Sequence, residues 1–207
     1  MVMLLVLIAS VSAHPVTFEG GTALFSIHRP RFTHIEANHT VHRNVALAVN
    51  YRRMELDSST LSVPQLQLNL LVKRWNLKGA QANIYAMLGG GADVSQWSNF
   101  ELADTLLGSA SSQFDYETQT IYTALSGFAM FNEELQVYGG RYRVGVAPYV
   151  ANYNELQTWV IAQIDYVSDF ADQPRITPML RFFYRTVLWE TGVSTNGHLW
   201  FQMMSHF

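Results

Sequence analysis

Three histidines and a glutamate carry the first hint of chemistry: His28, His34, Glu36 and His198. Neutral imidazoles beside a carboxylate suit a divalent transition metal, and the same imidazoles would serve a proton-linked switch at roughly pH 6 to 7. Neither an H-x-H nor an H-E-x-x-H spacing brings them together, so only the fold can. Ser26 lies two residues before His28. With Glu36 it offers the nucleophile, base and acid of an acyl hydrolase, although no G-x-S-x-G elbow surrounds the serine. A second set is charged: Arg52, Lys73, Arg141, Arg143 and Arg181, together with Asp165 and Glu190. Such groups form either a ladder that selects permeant ions or an interlocking salt-bridge network. The Gly20-Gly21, Gly89–Gly91 and Gly139-Gly140 stretches lack the lysine and following helix of a phosphate loop, and fit kinks or bulges in strands.

The elements that must position these groups are strands. Gln65–Lys73 sets Leu66, Leu68, Leu70 and Val72 against Gln65, Gln67, Asn69, Leu71 and Lys73. Asn44–Tyr51 and Gly21–His28 alternate in the same way, and no helical period competes. Turn signals punctuate the runs at Arg29-Pro30, Asn76–Gly79, Glu117–Gln119, Asn152–Asn154 and Thr195–Gly197, and longer connections fall at Glu55–Ser62, Asp93–Asn99 and Ser168–Pro174.

The totals agree with a strand-built membrane protein. The 207 residues are 49% hydrophobic and 13% aromatic but only 14% charged, below the usual quarter for soluble domains. The net charge of −3 and the lack of basic runs exclude nucleic acid as a partner, and the absence of cysteine excludes disulfides, thiol catalysis and Cys-bound zinc. Met3–Ala9 is an apolar run far shorter than a spanning helix, followed by the small residues Val11-Ser12-Ala13. Residues 1–13 therefore read as an export signal, without the usual basic start, and residues 14–207 as one domain.

Counting strands decides the architecture. Eleven would put the long connections on the same side as the C-terminus, the reverse of bacterial barrels. Replacing one long strand at residues 176–189 by two short ones, Pro178–Phe183 and Val187–Val193, with a tight turn at Tyr184–Thr186 gives twelve, with the long connections on the outside and both termini in the periplasm. The expectation is an all-β fold, an antiparallel up-and-down transmembrane β-barrel of twelve strands, with ten as the alternative. A soluble barrel of lipocalin type would have to bury the mid-strand Gln, Asn, Arg and Glu residues in a dry core, at high cost.

The last ten residues, HLWFQMMSHF, put Leu199, Phe201, Met203 and Phe207 on one face and end on the aromatic. This strand resembles the C-terminal signature of Gram-negative outer-membrane β-barrel proteins. The segment from Thr177 to Phe207 is also similar to the tails of small outer-membrane proteins of marine and soil bacteria. The resemblance implies a bacterial outer-membrane location after export, contact with outer-membrane lipid, and Leu199, Phe201, Met203 and Phe207 as a signal read by the β-barrel assembly machinery. A monomer is expected.

With the apolar stripes turned to lipid, the lumen should hold the charge ladder (Arg52, Lys73, Arg141, Arg143, Asp165, Arg181, Glu190) and long aromatics (Tyr85, Trp159, Trp200). One rim should gather His28, His34, Glu36 and His198 as a metal site, with Ser26 and His28 as the hydrolase pair. Trp75, Tyr116, Tyr149, Tyr153, Tyr184 and Trp189 should anchor at the membrane interface. Three functions follow: a narrow channel for small solutes or ions, a closed structural or partner-binding barrel, and a membrane-embedded lipid hydrolase.

Overall fold

A computed structural model of the chain describes residues 14–56, 59–95, 106–133, 135–168 and 173–207. The proposed signal, residues 1–13, lies outside the described residues. Twelve strands follow one another: β1 (Thr22–Arg29), β2 (Phe32–His42), β3 (Val45–Glu55), β4 (Thr60–Leu77), β5 (Ala80–Ala92) and β6 (Leu106–Thr118), then β7 (Ile121–Phe131), β8 (Gln136–Val146), β9 (Gln157–Val167), β10 (Arg175–Tyr184), β11 (Val187–Val193) and β12 (Leu199–His206). Each pairs antiparallel with its sequence neighbours, and β1 pairs with β12, so the sheet closes into a barrel with no free edge. Closure matters in hydrocarbon, where an unpaired backbone N–H or C=O has no water to turn to. The seam extends past the strands: the Thr22 and Phe207 amides each donate to the other's carbonyl, at 3.1 and 2.9 Å.

The twelve-strand expectation and the split near residue 185 hold. Arg185 makes the β10–β11 turn with a positive φ of 55°, and Arg31 does the same between β1 and β2 at 67°. The termini share one end of the barrel, called the terminal end below; the opposite end is the far end. The expectation that every long connection lies at the far end is corrected. The β5–β6 and β9–β10 connections, whose central residues 96–105 and 169–172 lie outside the described residues, join strand ends at the far end, but residues 147–156, between β8 and β9, form a ten-residue connection at the terminal end. Conversely, strand pairing runs on through Glu55↔Thr60, leaving a short connection at 56–59 where a long one was expected.

The exterior is apolar along most strands, with Leu47, Val49, Leu66, Leu125, Val160 and Ile164 all exposed. A soluble fold would bury these side chains, and a lipid-solvated one leaves them outward. All six anchor aromatics lie toward the terminal end: Trp75, Tyr116 and Tyr184 close their strands, Trp189 sits near the start of β11, and Tyr149 and Tyr153 lie on the 147–156 connection.

Two prolines sit inside strands, each opposite a glycine placed by the register. Gln65 pairs with Gly91 and Met179 with Gly192, so each glycine faces the residue just after Pro64 or Pro178. A Cβ on Gly91 would stand 2.1 Å from the Pro64 carbonyl oxygen, and one on Gly192 2.5 Å from that of Pro178. Proline lacks the N–H for one ladder bond and bends its strand, and the neighbouring backbone moves in where no side chain blocks it.

Candidate functional site

The interior of the barrel gathers the polar residues, and three elements of its wall are clear. On β2–β4 a carboxylate sits among amides. Gln67 Nε2 donates to Glu36 Oε2 at 3.2 Å, while Asn38 and Asn69 both donate to Glu36 Oε1 at 3.3 Å. Asn50 and Arg52 in turn donate to Gln67 Oε1 at 3.2 and 3.1 Å. His34 Nε2 stands 3.6 Å from Glu36.

The second element lies on β8, β10 and β11. Glu190 is completely buried and takes a hydrogen bond at 2.5 Å on each oxygen, from Arg143 Nη2 and from Arg181 Nε. Arg181 also lies over the Tyr122 ring, 4.2 Å from its centroid. The third, near the far end, repeats this plan: Asp165 Oδ2 accepts from Arg29 Nη1 and Arg175 Nη2, both at 2.7 Å. In each cluster two guanidiniums share one carboxylate, so each keeps a net positive charge. Between them stands Arg141, the Cα partner of Asp165 across the β8–β9 pair. It makes no hydrogen bond or ion pair with any described residue, its Nε is buried, and its guanidinium sits 4.8 Å from the Trp200 ring centroid. Stacking fixes its position and leaves its donors to the lumen.

A cavity of about 190 Å³ follows these walls, from His14 and Pro15 at the terminal end to Met54 and Val167 at the far end. By volume it holds on the order of a dozen waters. Arg29 on β1, Arg52 on β3 and Arg141 and Arg143 on β8 line it, and the small residues Ser111, Ser112, Ser126, Gly127 and Gly140 on β6 to β8 leave it room. The lumen is not polar throughout. Ile27, Tyr122, Trp159, Ile161, Met179 and Trp200 pack into one buried cluster, and Met54, Val63, Met130 and Val137 belong to another.

The terminal end is partly covered from within by the segment before β1, which the alternation pattern did not single out. Asn69 Nδ2 donates to the Pro15 carbonyl at 3.2 Å, and the Thr17 amide donates to Thr40 Oγ1 at 3.1 Å. Val16 is fully buried against Ala46, Leu71 and Tyr85. His14 Nδ1 lies 2.8 Å from the Tyr85 hydroxyl and 3.8 Å from Asp115.

Of the expected ladder, Arg52, Arg143, Asp165, Arg181 and Glu190 are buried inside, and Arg141 joins them on the cavity wall. Lys73 does not. A register shift between Leu71 and Lys73 inserts one residue into β4, which puts Lys73 on the outside near Trp75, and Arg74 takes the inward place, donating to Asn83 Oδ1 at 2.7 Å. Arg29, Arg74, Asp115 and Arg175 were missed because they sit next to turns or a bulge, where alternation is hardest to phase.

The proposed metal and hydrolase sites do not form. On β1 the apolar residues Ala23, Phe25 and Ile27 face inward, and Leu24 and His28 are exposed. The inward face here meets the greasy part of the lumen, so polarity gives the wrong parity. His28 stacks on Phe201 at 6.4 Å, on the outer surface, and Ser26 shares that outward side but makes no side-chain hydrogen bond to His28 or to any other described residue. His198 is exposed in the β11–β12 turn. Only His34 and Glu36 remain together, and no group of three metal-ligating side chains occurs among the described residues. On β12, Leu199, Phe201 and Met203 face outward as expected, Phe207 is 67% exposed, and Trp200 and Gln202 point in.

No family model and no curated protein matches the chain. Solved structures do. The KdgM porin in complex with disordered oligogalacturonate aligns with a TM-score of 0.51 at 9% identity, covering 90% of this chain and 98% of that one. A structure titled KdgM porin gives 0.51 at 8% identity with the same coverage. OccK8 (OprE) of Pseudomonas aeruginosa gives 0.46 at 9%, over 85% of this chain and 57% of that one. At this identity the likeness is one of architecture: the chain has the fold of an outer-membrane porin, a closed barrel of twelve antiparallel strands.

Proposed function

We propose that this protein is an outer-membrane channel, a narrow passage that prefers small anions. The observation that carries the reading is Arg141, a cation on the cavity wall that makes no hydrogen bond or ion pair among the described residues, flanked by two clusters that each hold two guanidiniums to one carboxylate. A wall with surplus positive charge in a confined lumen draws anions in and holds cations out, and guanidinium donors match carboxylate or phosphate oxygens in pairs. The cavity volume restricts the passage to solutes of a few heavy atoms or to hydrated ions.

In this reading residues 1–13 direct export, the terminal end faces the periplasm, and the barrel sits in outer-membrane lipid as a monomer. Leu199, Phe201, Met203 and Phe207 present the outward face that the assembly machinery reads. The test is the reversal potential of single channels in a salt gradient across a planar bilayer. Anion selectivity is expected, with Arg141→Glu abolishing or reversing it. Currents of equal selectivity in the two proteins would reject the role of Arg141. Absence of current under all conditions would favour the closed barrel, the second reading, which the apolar clusters inside the lumen support.

A further inference from the structure

Ahead of Gly20 and Gly21, which bond the Thr40 backbone of β2, the segment His14–Thr17 has no part in the sheet ladder, yet it is held on several sides. Its anchors come from four strands: Thr40 on β2, Asn69 on β4, Tyr85 on β5 and Asp115 on β6. From Gly21, at the start of β1, it therefore crosses the mouth of the barrel instead of hanging beside it. His14 and Pro15 form part of the cavity wall at that end. Only one apolar side chain of the segment, Val16, is fully buried; the other holds of His14–Thr17 are four hydrogen bonds of ordinary length and one weak contact with Asp115. Such a segment can leave its seat without disturbing the barrel, whose own ladder does not include it.

From this geometry we infer that His14–Thr17 is a built-in stopper of the terminal mouth, and that protonation of His14 releases it. The inference rests on the channel reading above. A neutral imidazole fits the seat: Nδ1 meets the Tyr85 hydroxyl, while Nε2 is buried with no hydrogen-bond partner among the described residues. A proton on the ring would add a buried charge. The charged and titratable groups facing it are Asp115 on β6, Arg74 on β4, Tyr85 on β5, Arg181 on β10 and His206 on β12. Asp115 favours the imidazolium, while Arg74, His206 and Arg181 oppose it.

Burial lowers the His14 pKa from its ordinary 6.5 to about 4, outweighing the pull of Asp115. The sign follows from linkage. The seated state disfavours the proton, so seating is at full strength above about pH 6.5 and weakens as the pH falls toward about 4. Across that window the ratio of free to seated segment rises tenfold per pH unit, up to roughly 300-fold.

The chain has no cysteine, which permits a clean lock. Thr17 and Thr40 hydroxyls lie 3.0 Å apart, so Thr17→Cys with Thr40→Cys should form a disulfide that pins the segment. Conductance is read in bilayers between pH 7.5 and pH 4.5 on the wild type, on His14→Gln, and on the double variant before and after reduction. Expected are a rise in open probability at acid pH in the wild type, little rise in His14→Gln, and a low current in the oxidised double variant that reduction restores. Because the oxidised and reduced forms are the same folded protein, misfolding does not imitate the result. If the oxidised form conducts like the reduced one, the segment is no stopper. If His14→Gln keeps the full acid response, His14 is not the trigger. Both outcomes leave the channel standing, whereas no current even from the reduced form at acid pH overturns channel and stopper together.

Discussion

Replacing Glu190 by glutamine tests whether the lumen wall is dry. Its carboxylate is fully buried and bridges Arg143 and Arg181, each at 2.5 Å, with both guanidiniums almost wholly enclosed. Removing the charge leaves two buried cations facing a neutral amide. Breaking a buried pair from one side costs roughly 3 to 5 kcal/mol, and glutamine keeps one acceptor for one of the two arginines, so about 3 kcal/mol is expected. A matched control exists on the same barrel. Arg53 and Glu55 also meet, at 3.0 Å, but both are about half exposed (53% and 47%), so Glu55→Gln should cost under about 1 kcal/mol. Urea unfolding of the protein in lipid vesicles reads both. With a slope of about 2 kcal/mol per molar, the Glu190 variant should lose roughly 1.5 M in midpoint and the Glu55 variant less than about 0.5 M. Adding Arg143→Met to Glu190→Gln should recover more than about 1 kcal/mol, since one stranded cation is then gone. A loss for Glu190→Gln no larger than that for Glu55→Gln would refute the reasoning, because it would mean that water screens the cluster as it does the surface.

Two further outcomes rest on backbone packing and on lipid. Gly91→Ala should destabilise the barrel by roughly 1 to 3 kcal/mol, because its Cβ would meet the Pro64 carbonyl at 2.1 Å; Gly90→Ala, whose nearest atom is 4.0 Å away, should be close to neutral. The temperature at which unboiled samples lose their folded mobility on an SDS gel ranks the two. Leu66→Arg, at a position 71% exposed on the outer face of β4, should cost about 2 to 4 kcal/mol if hydrocarbon covers that face, against about 0 to 1 for Leu77→Arg at the strand end. Equal costs in vesicle unfolding would contradict a membrane belt at that height.

Strand number, pairing and the outward side of β2, β3, β4 and β12 are legible in the sequence because there the lumen-facing residues are polar, as with Glu36, Asn50, Gln67 and Gln202, while the lipid-facing ones are not. On β1 this contrast fails. Ile27 meets Trp159 and Trp200 inside the barrel, while Thr22, Ser26 and His28 lie on the outward face, so the polarity of the strand is inverted and gives the wrong phase. That single inversion removes His28 and Ser26 from the interior and with them the metal and hydrolase readings. In β4 the phase is right up to Leu71 and is lost at the inserted residue that follows, which local composition does not announce. The pairing of two arginines per carboxylate is a third kind of information: Arg181 and Glu190 face each other across one hairpin, but Arg143 lies 47 residues from Glu190 on β8, and only closure of the barrel brings it across the lumen to them.

The seam between β1 and β12 sets an order of events during biosynthesis. Because the first strand made must pair with the last, its outer edge stays unsatisfied through the emergence of the ten strands between them. Each hairpin can form as it appears, but the step that seals the belt has the longest loop to close. Until then two open edges are present, and these are what would pair with another chain. A factor that held β1 until β12 arrived would act on the slowest step and on the most aggregation-prone species at once.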